Sequence, residues 1–256
     1  MRSISGSMVR FLIICFLSVS ALFCHFLSPA AAQPDTLFVF DAARETPGEQ
    51  PEGWVQVIPD DQYAYTTYNI ERSIDGNYLR ARSAASGSWL ERDIGEIDIR
   101  DWRILTWEWK VDHFPDVQWE RNPGHDDFAY RIELVCDFKG TWINPLNIIR
   151  KGLITTIFRG YPPQRTISYV WSVNVPSLVP YDSLSEHHYT IIPIESTNIL
   201  AGRWLRERVD ILPDLAKLEP GRTLMLKKIR LRVDTDNTGS MAESGLKYLY
   251  LIKEND

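Results

Sequence analysis

Apolar and polar residues alternate along much of this chain. In the run Leu105-Thr106-Trp107-Glu108-Trp109-Lys110-Val111 the odd positions are apolar and the even ones polar, the two-residue period of a strand with one buried face. Between Phe128 and Phe138 the pattern repeats: Tyr130, Ile132, Leu134, Cys136 and Phe138 share one face, and Arg131, Glu133 and Asp137 take the other. Side by side, two such strands would lay an amphipathic sheet surface over an apolar layer. Further strands are expected at 36–40, 63–68, 78–82, 168–173, 188–193, 207–211, 226–233 and 246–252. Their short lengths and the turn residues between them favour layered antiparallel sheets over alternating strand and helix units. The expected fold is all-β, an antiparallel β-sandwich or jelly roll with minor helices, of which 212–218 is the one candidate. Residues 142–161 break the pattern: nine large apolar residues are interleaved with Arg150, Lys151 and Arg159. This aromatic and basic insert reads either as a loop across an open end of the sandwich or as a protrusion making peripheral membrane contact.

The first 32 residues carry a different signal. Arg2 and Arg10 precede an apolar stretch at 11–27, and Ser28-Pro29-Ala30-Ala31-Ala32 supplies small residues for cleavage, the layout of a cleavable export signal. The stretch is interrupted by Ser18, Ser20 and His25, which argues against an uncleaved anchor. The mature chain is then expected to be a single β-sandwich domain, 33–256, that is periplasmic or secreted.

Charge and cysteine content narrow the picture. The mature part has 26 basic against 34 acidic side chains, a balance that disfavours a nucleic-acid partner. Cys136 is its only cysteine, so no intrachain disulfide can form, and its place in an apolar run marks it as a buried small side chain. Stability must come from a core, to which the mature part brings all nine tryptophans.

Candidate chemistry lies in separate places. Asp234-Thr235-Asp236-Asn237-Thr238-Gly239 follows an expected strand. Asp234, Asp236 and Asn237 can hold a hard cation, so Ca2+ is the candidate cofactor. The same residues equally make a self-capping turn, and position twelve of a calcium loop would be Gly245 instead of glutamate. Asp126 and Asp127, next to His125, open the 128–138 strand as ligand contacts or, for Asp127, as a proton acceptor or turn acceptor. Glu108, Glu133 and Glu207 form a looser set. If two of these carboxylates lined one groove they could hydrolyse a glycoside; otherwise they are ordinary outward charges paired with arginine. Among the aromatic residues, Trp119, Tyr161, Tyr181 and Trp204 sit near expected loops and can stack on a sugar ring. No phosphate-cradling glycine loop, serine elbow or paired-cysteine metal motif is present.

Gly53-Trp54, Trp107-Glu108-Trp109-Lys110, Asp126-Asp127 before an apolar strand, Tyr169-Val170-Trp171 and the 234–239 segment, taken in order, resemble an exported bacterial family classed as a domain of unknown function, the DUF3047-type proteins. The resemblance implies one β-rich sandwich domain in the bacterial envelope and supplies neither a substrate nor a catalytic residue. Relative to that family, 142–161 looks like an expansion. The leading expectation is a protein that binds a carbohydrate or cell-surface glycan through Asp126, Asp127, Asp234, Asp236 and Asn237, with Trp119 or Trp204 as a stacking wall. The alternatives are a carbohydrate-active hydrolase or lyase using Asp127, Glu133 or Glu207, and an envelope assembly or membrane-associated protein with an envelope protein as partner.

Overall fold

The computed structural model describes residues 35–59, 64–117, 120–121, 126–138, 165–221 and 223–254. The expected export signal at 1–32, Trp119, His125 and the 142–161 segment lie outside them. Among the described residues, thirteen strands form two sheets. The first sheet contains β11 (Leu205–Asp210), β6 (Ile104–His113), β13 (Met241–Ile252), β4 (Gly76–Ala84) and β3 (Thr67–Ser73), in that order, with β1 (Thr36–Asp41) also paired to β13. The second runs β2 (Val55–Val57), β5 (Trp89–Asp98), β12 (Leu224–Arg232), β7 (Tyr130–Phe138), β8 (Arg165–Ser172), β10 (Tyr189–Ser196) and β9 (Tyr181–Asp182). An α-helix, α1 (Ile211–Leu218), follows β11 directly, with Asp210 as its N-cap accepting from the Leu212 amide. The architecture is the expected all-β sandwich with a minor helix.

Three local expectations differ from what forms. The strand expected at 63–68 begins at Thr67 and runs to Ser73, because its core-facing residues are Tyr68 and Ile70, while Tyr65 before them is exposed. The strand β5 has no clean period of two, and its polar residues on the outer face hid it. Pairing is antiparallel throughout these sheets except between β10 and β8, which run parallel. That pair is joined through residues 173–188, a connection long enough to carry the chain back to the start of the next strand.

The strands 105–111 and 128–138 do not lie side by side. They belong to opposite sheets and face each other across the core, where Trp109 meets Tyr130 edge-on at 6.1 Å. Trp109 also contacts Trp107 at 5.3 Å and Trp171 at 5.5 Å, and Trp107 lies 5.9 Å from Tyr169. All five rings are essentially inaccessible to solvent. Cys136 is buried with a free thiol, and burial pushes that thiol up to about 12, so it packs as a small apolar group.

One edge of the sandwich is joined by hydroxyls. Ser83 on β4 bonds Thr235 beyond β12 at 2.7 Å and Ser86 at 2.8 Å, Thr66 donates to the Val233 carbonyl at 2.7 Å, and Tyr68 donates to the Ser88 carbonyl at 2.8 Å. This seam satisfies buried backbone between the two sheets and sets where the chain leaves β12 for the 234–239 turn. Replacing Trp109 by alanine removes the ring common to three aromatic contacts and should lower unfolding stability by about 3–5 kcal/mol, measured by urea denaturation followed by near-ultraviolet circular dichroism.

Candidate functional site

The polar face of β7 explains why the site forms at one end of the second sheet. Arg131 is 1% exposed, and a buried guanidinium requires a partner. It finds Asp234, with Nε donating to Oδ1 at 3.2 Å and Nη2 to Oδ2 at 2.7 Å. The guanidinium also bonds the Asp126 carbonyl and lies over the Phe128 ring at 4.6 Å. Arg232 reaches the same Asp234 carboxylate at 2.9 Å. Burial pushes the Asp234 carboxyl up, to about 6, with the two guanidiniums pulling against it and Asp127 and Asp236 adding to the rise. Burial alone would lower Arg131; its carboxylate neighbours, Asp234 first, outweigh this and keep it charged.

Asp127, fully buried, fastens the 234–239 turn. It accepts the Asn237 amide at 3.3 Å, the Thr238 amide at 2.8 Å and the Thr238 hydroxyl at 2.6 Å. Asn237 Nδ2 donates to Asp126 at 2.8 Å and to Asp127 at 3.3 Å. Asp236 lies against Gly87, where an added Cβ would stand 2.9 Å from its Oδ1; the glycine lets this carboxylate approach the backbone. Asp127, Asp234 and Asp236 each place an oxygen within 4.8 Å of the others, so the cluster can coordinate a metal ion such as Ca2+. Asp127 joins the expected Asp234 and Asp236 in this cluster, and Asn237 borders it through the bonds of its Nδ2 to Asp126 and Asp127. Two of the three carboxylates are already engaged by donors, and Asp236 Oδ1 is buried without one, which makes it the open ligand position.

Beside this cluster lies a small depression lined by Glu120, Arg121, Asp126, Tyr181, Ser183, Leu184, Ser185 and Ile191. Three of its residues hold a buried polar atom without a partner: Glu120 Oε2, Arg121 Nε and the Tyr181 hydroxyl. Glu120 is only 4% exposed. Its Oε1 is fixed by the Ser172 hydroxyl at 3.1 Å and the Val173 amide at 2.8 Å, leaving Oε2 free. The Arg121 guanidinium sits over the Tyr181 ring at 4.5 Å. Asp126 accepts from Ser185 at 2.8 Å; burial works against its charge, but Arg131, Ser185 and Arg232 outweigh it and hold the carboxyl below its usual range. Asp126, Asp127 and Tyr181 were legible as candidates in the sequence. Glu120 and Arg121 belong to no motif and were not.

The remaining candidates lie elsewhere. Trp204 is on the outer face of the first sheet, over Gly245, with Lys247 4.3 Å and Lys110 5.3 Å from its ring, so it cannot wall a ligand at Asp126 and Asp127 on the second sheet. Glu108 shares that outer face of the first sheet between Arg206 and Lys247, each at 3.1 Å. Glu207, one residue along from Arg206, points inward and accepts from the Trp109 indole at 3.3 Å. Glu133 is on the outer face of the second sheet, bonded to the Tyr189 hydroxyl at 2.8 Å and 3.8 Å from Arg230. These three carboxylates therefore occupy three different surfaces and form no facing pair. Strand parity and the placement of β6 and β7 in different sheets separate them.

A family model described as protein of unknown function, DUF3047, matches residues 52–250. The chain belongs to DUF3047. No curated protein sequence matches this DUF3047 chain. Among solved structures, its sandwich is similar to a family 12 xyloglucanase from Bacillus licheniformis, at 7% identity over 87% of this chain and 100% of that one, with a TM-score of 0.44. It is also similar to a family 11 carbohydrate-binding module from Clostridium thermocellum, at 9% identity over 88% and 98% of the two chains and a TM-score of 0.42. At these values the likeness carries nothing about site residues or activity.

Changing Asp234 to alanine leaves the buried Arg131 and the largely buried Arg232 without their shared carboxylate. It should cost about 3–5 kcal/mol, read by chemical denaturation. Arg206→Ala, at the exposed end of the ion pair with Glu108, serves as the contrast and should stay within about 1 kcal/mol of the unaltered protein.

Proposed function

We propose that this DUF3047 chain is an exported bacterial envelope protein that binds a carbohydrate, periplasmic or secreted, with the depression beside Asp126 as the contact point. The reading is carried by three residues lining this depression, Glu120, Arg121 and Tyr181, each of which holds a buried polar atom without a partner: Oε2, Nε and the hydroxyl. An unpaired buried polar atom is costly, and a ligand group that satisfies several at once recovers that cost. A sugar hydroxyl suits the set because it donates and accepts together: it can donate to Glu120 Oε2 while accepting from Arg121 Nε–H. The depression has room for about one water-sized group, so it takes a single hydroxyl and leaves the rest of the sugar outside, against Leu184 and the Ser183 and Ser185 side. The export reading rests on residues 1–32, and the carbohydrate reading on this donor and acceptor set.

The Asp127, Asp234 and Asp236 cluster has a supporting part. Through Arg131 and Asn237 it holds Asp126 in position, so a cation there would rigidify the rim of the depression without touching the sugar. A glycan array probed with the purified protein, with and without calcium, tests the reading. Wild-type protein should retain one glycan class, and Glu120→Gln and Tyr181→Phe should each weaken binding about 10-fold or more, the value of one hydrogen bond to a charged or buried group. Trp204→Ala should bind as wild type. Absence of binding across envelope glycans, or equal binding by all variants, sinks the proposal.

A further inference from the structure

Two carboxyl groups outside the proposed site meet where the sandwich has an edge. Trp109 of the first sheet and Trp171 of the second touch across the core at 5.5 Å. One strand further out, β11 flanks β6 and β10 flanks β8. On β11, Glu207 is in register with Trp107 and takes the same core-facing side. On β10, the register slips between Pro193 and Glu195, so that Glu195 comes opposite Trp171. A bulge of this kind re-aims a side chain: without it, Glu195 would follow Pro193 by two residues and share its outward side. The two glutamates thus face the same space between the sheets, half-buried, beside the touching pair Trp109 and Trp171, and each carboxyl feels the other. The Trp109 indole holds Glu207 from the core side at 3.3 Å.

We propose that Glu195 and Glu207 form a proton-dependent latch that closes the sandwich at its β10 and β11 edge. Two ionised carboxylates are acceptors only, so these two groups can bond each other only by sharing one proton. Among the described residues no counter-charge replaces that proton. The core-facing neighbours on β6 are Leu105, Trp107, Trp109 and Val111, on β11 Leu205 and Val209, and on β10 Ile192 and Ile194. On the core-facing side of β8, Tyr169 donates to Asp214 of α1 at 3.1 Å, with Lys217 further along that helix, and Arg165 is paired with Glu219 at 2.7 Å. Arg206 and Arg208 are engaged elsewhere, with Glu108 and Glu254. Among the described residues no cation acts on either carboxyl; burial raises both, and the charge of Glu195 adds to the rise of Glu207. The sign follows. A carboxyl raised in the folded state stabilises most below its unfolded value, and that contribution is lost as pH climbs through the folded value. Loss of the shared proton leaves two like charges in a partly buried slot, which separate and admit water to Trp109 and Trp171.

The pair titrates as a unit, so either member can be used to remove the charge. Thermal unfolding of the purified protein and of Glu207→Gln and Glu195→Gln, from about pH 5 to about pH 8.5, provides the test. Glutamine keeps a hydrogen bond to the remaining carboxyl without needing a shared proton. Each variant should match wild type within about 1 °C at the acid end and exceed its Tm by about 2–4 °C at the alkaline end. Wild-type tryptophan emission should shift to the red as pH rises, and the variants should hold their emission constant. A difference between wild type and variant that is the same at every pH, or a variant less stable than wild type at the alkaline end, overturns the latch, as does a response from one glutamate alone.

Discussion

Burial of the Arg131 guanidinium is the constraint on which the candidate site depends. A cation with 1% exposure holds its place only if carboxylates and carbonyls replace the water it gave up. Arg131 therefore gathers Asp234 from the end of β12 and the Asp126 carbonyl from the approach to β7. Asp234 in turn engages Arg232, and the neighbouring Asp127 closes the turn through Asn237 and Thr238. Removing the Asp234 carboxylate would leave the buried Arg131 charge without its ion-pair partner in a low-dielectric interior, which ties the 234–239 turn to the start of β7.

That rigidity matters because the depression itself is built from loop residues. Glu120 is fixed from behind by Ser172 and Val173 at the end of β8, and Tyr181 stands on β9, the short edge strand paired to β10. Asp126 is fixed by the charged cluster. Three separate stretches of chain thus line one depression, each held by a different part of the sheet. Loops carrying function on a rigid sandwich follow the usual division of labour in such folds.

The two polar assemblies of the molecule behave differently. The Arg131 cluster balances its carboxylates with guanidiniums and retains charge inside the protein. The Glu195 and Glu207 pair has no cation and retains a proton instead. The first lies on the outer side of β7, against Phe128, and the second beside Trp109 of the core.

How much of this was legible in the chain depends on the range of the interaction involved. Alternation at 105–111 and 128–138 determined which residues face inward, because strand parity is a local property. Cys136 as a buried thiol, α1 after β11 and the all-β class followed in the same way. Asp126, Asp127, Asp234 and Asp236 were visible as a chemically distinct set, and turn chemistry explained why they lie at strand ends. Tertiary structure alone decided which of them meet. Strands β6 and β7 look alike in sequence yet belong to opposite sheets, which sends Glu108, Glu133 and Glu207 to three surfaces. Glu120 and Arg121 gained significance only when the end of β8, distant in the chain, came to lie behind them. Local pattern sets the direction of a side chain; long-range pairing sets its neighbours, and the neighbours determine the chemistry.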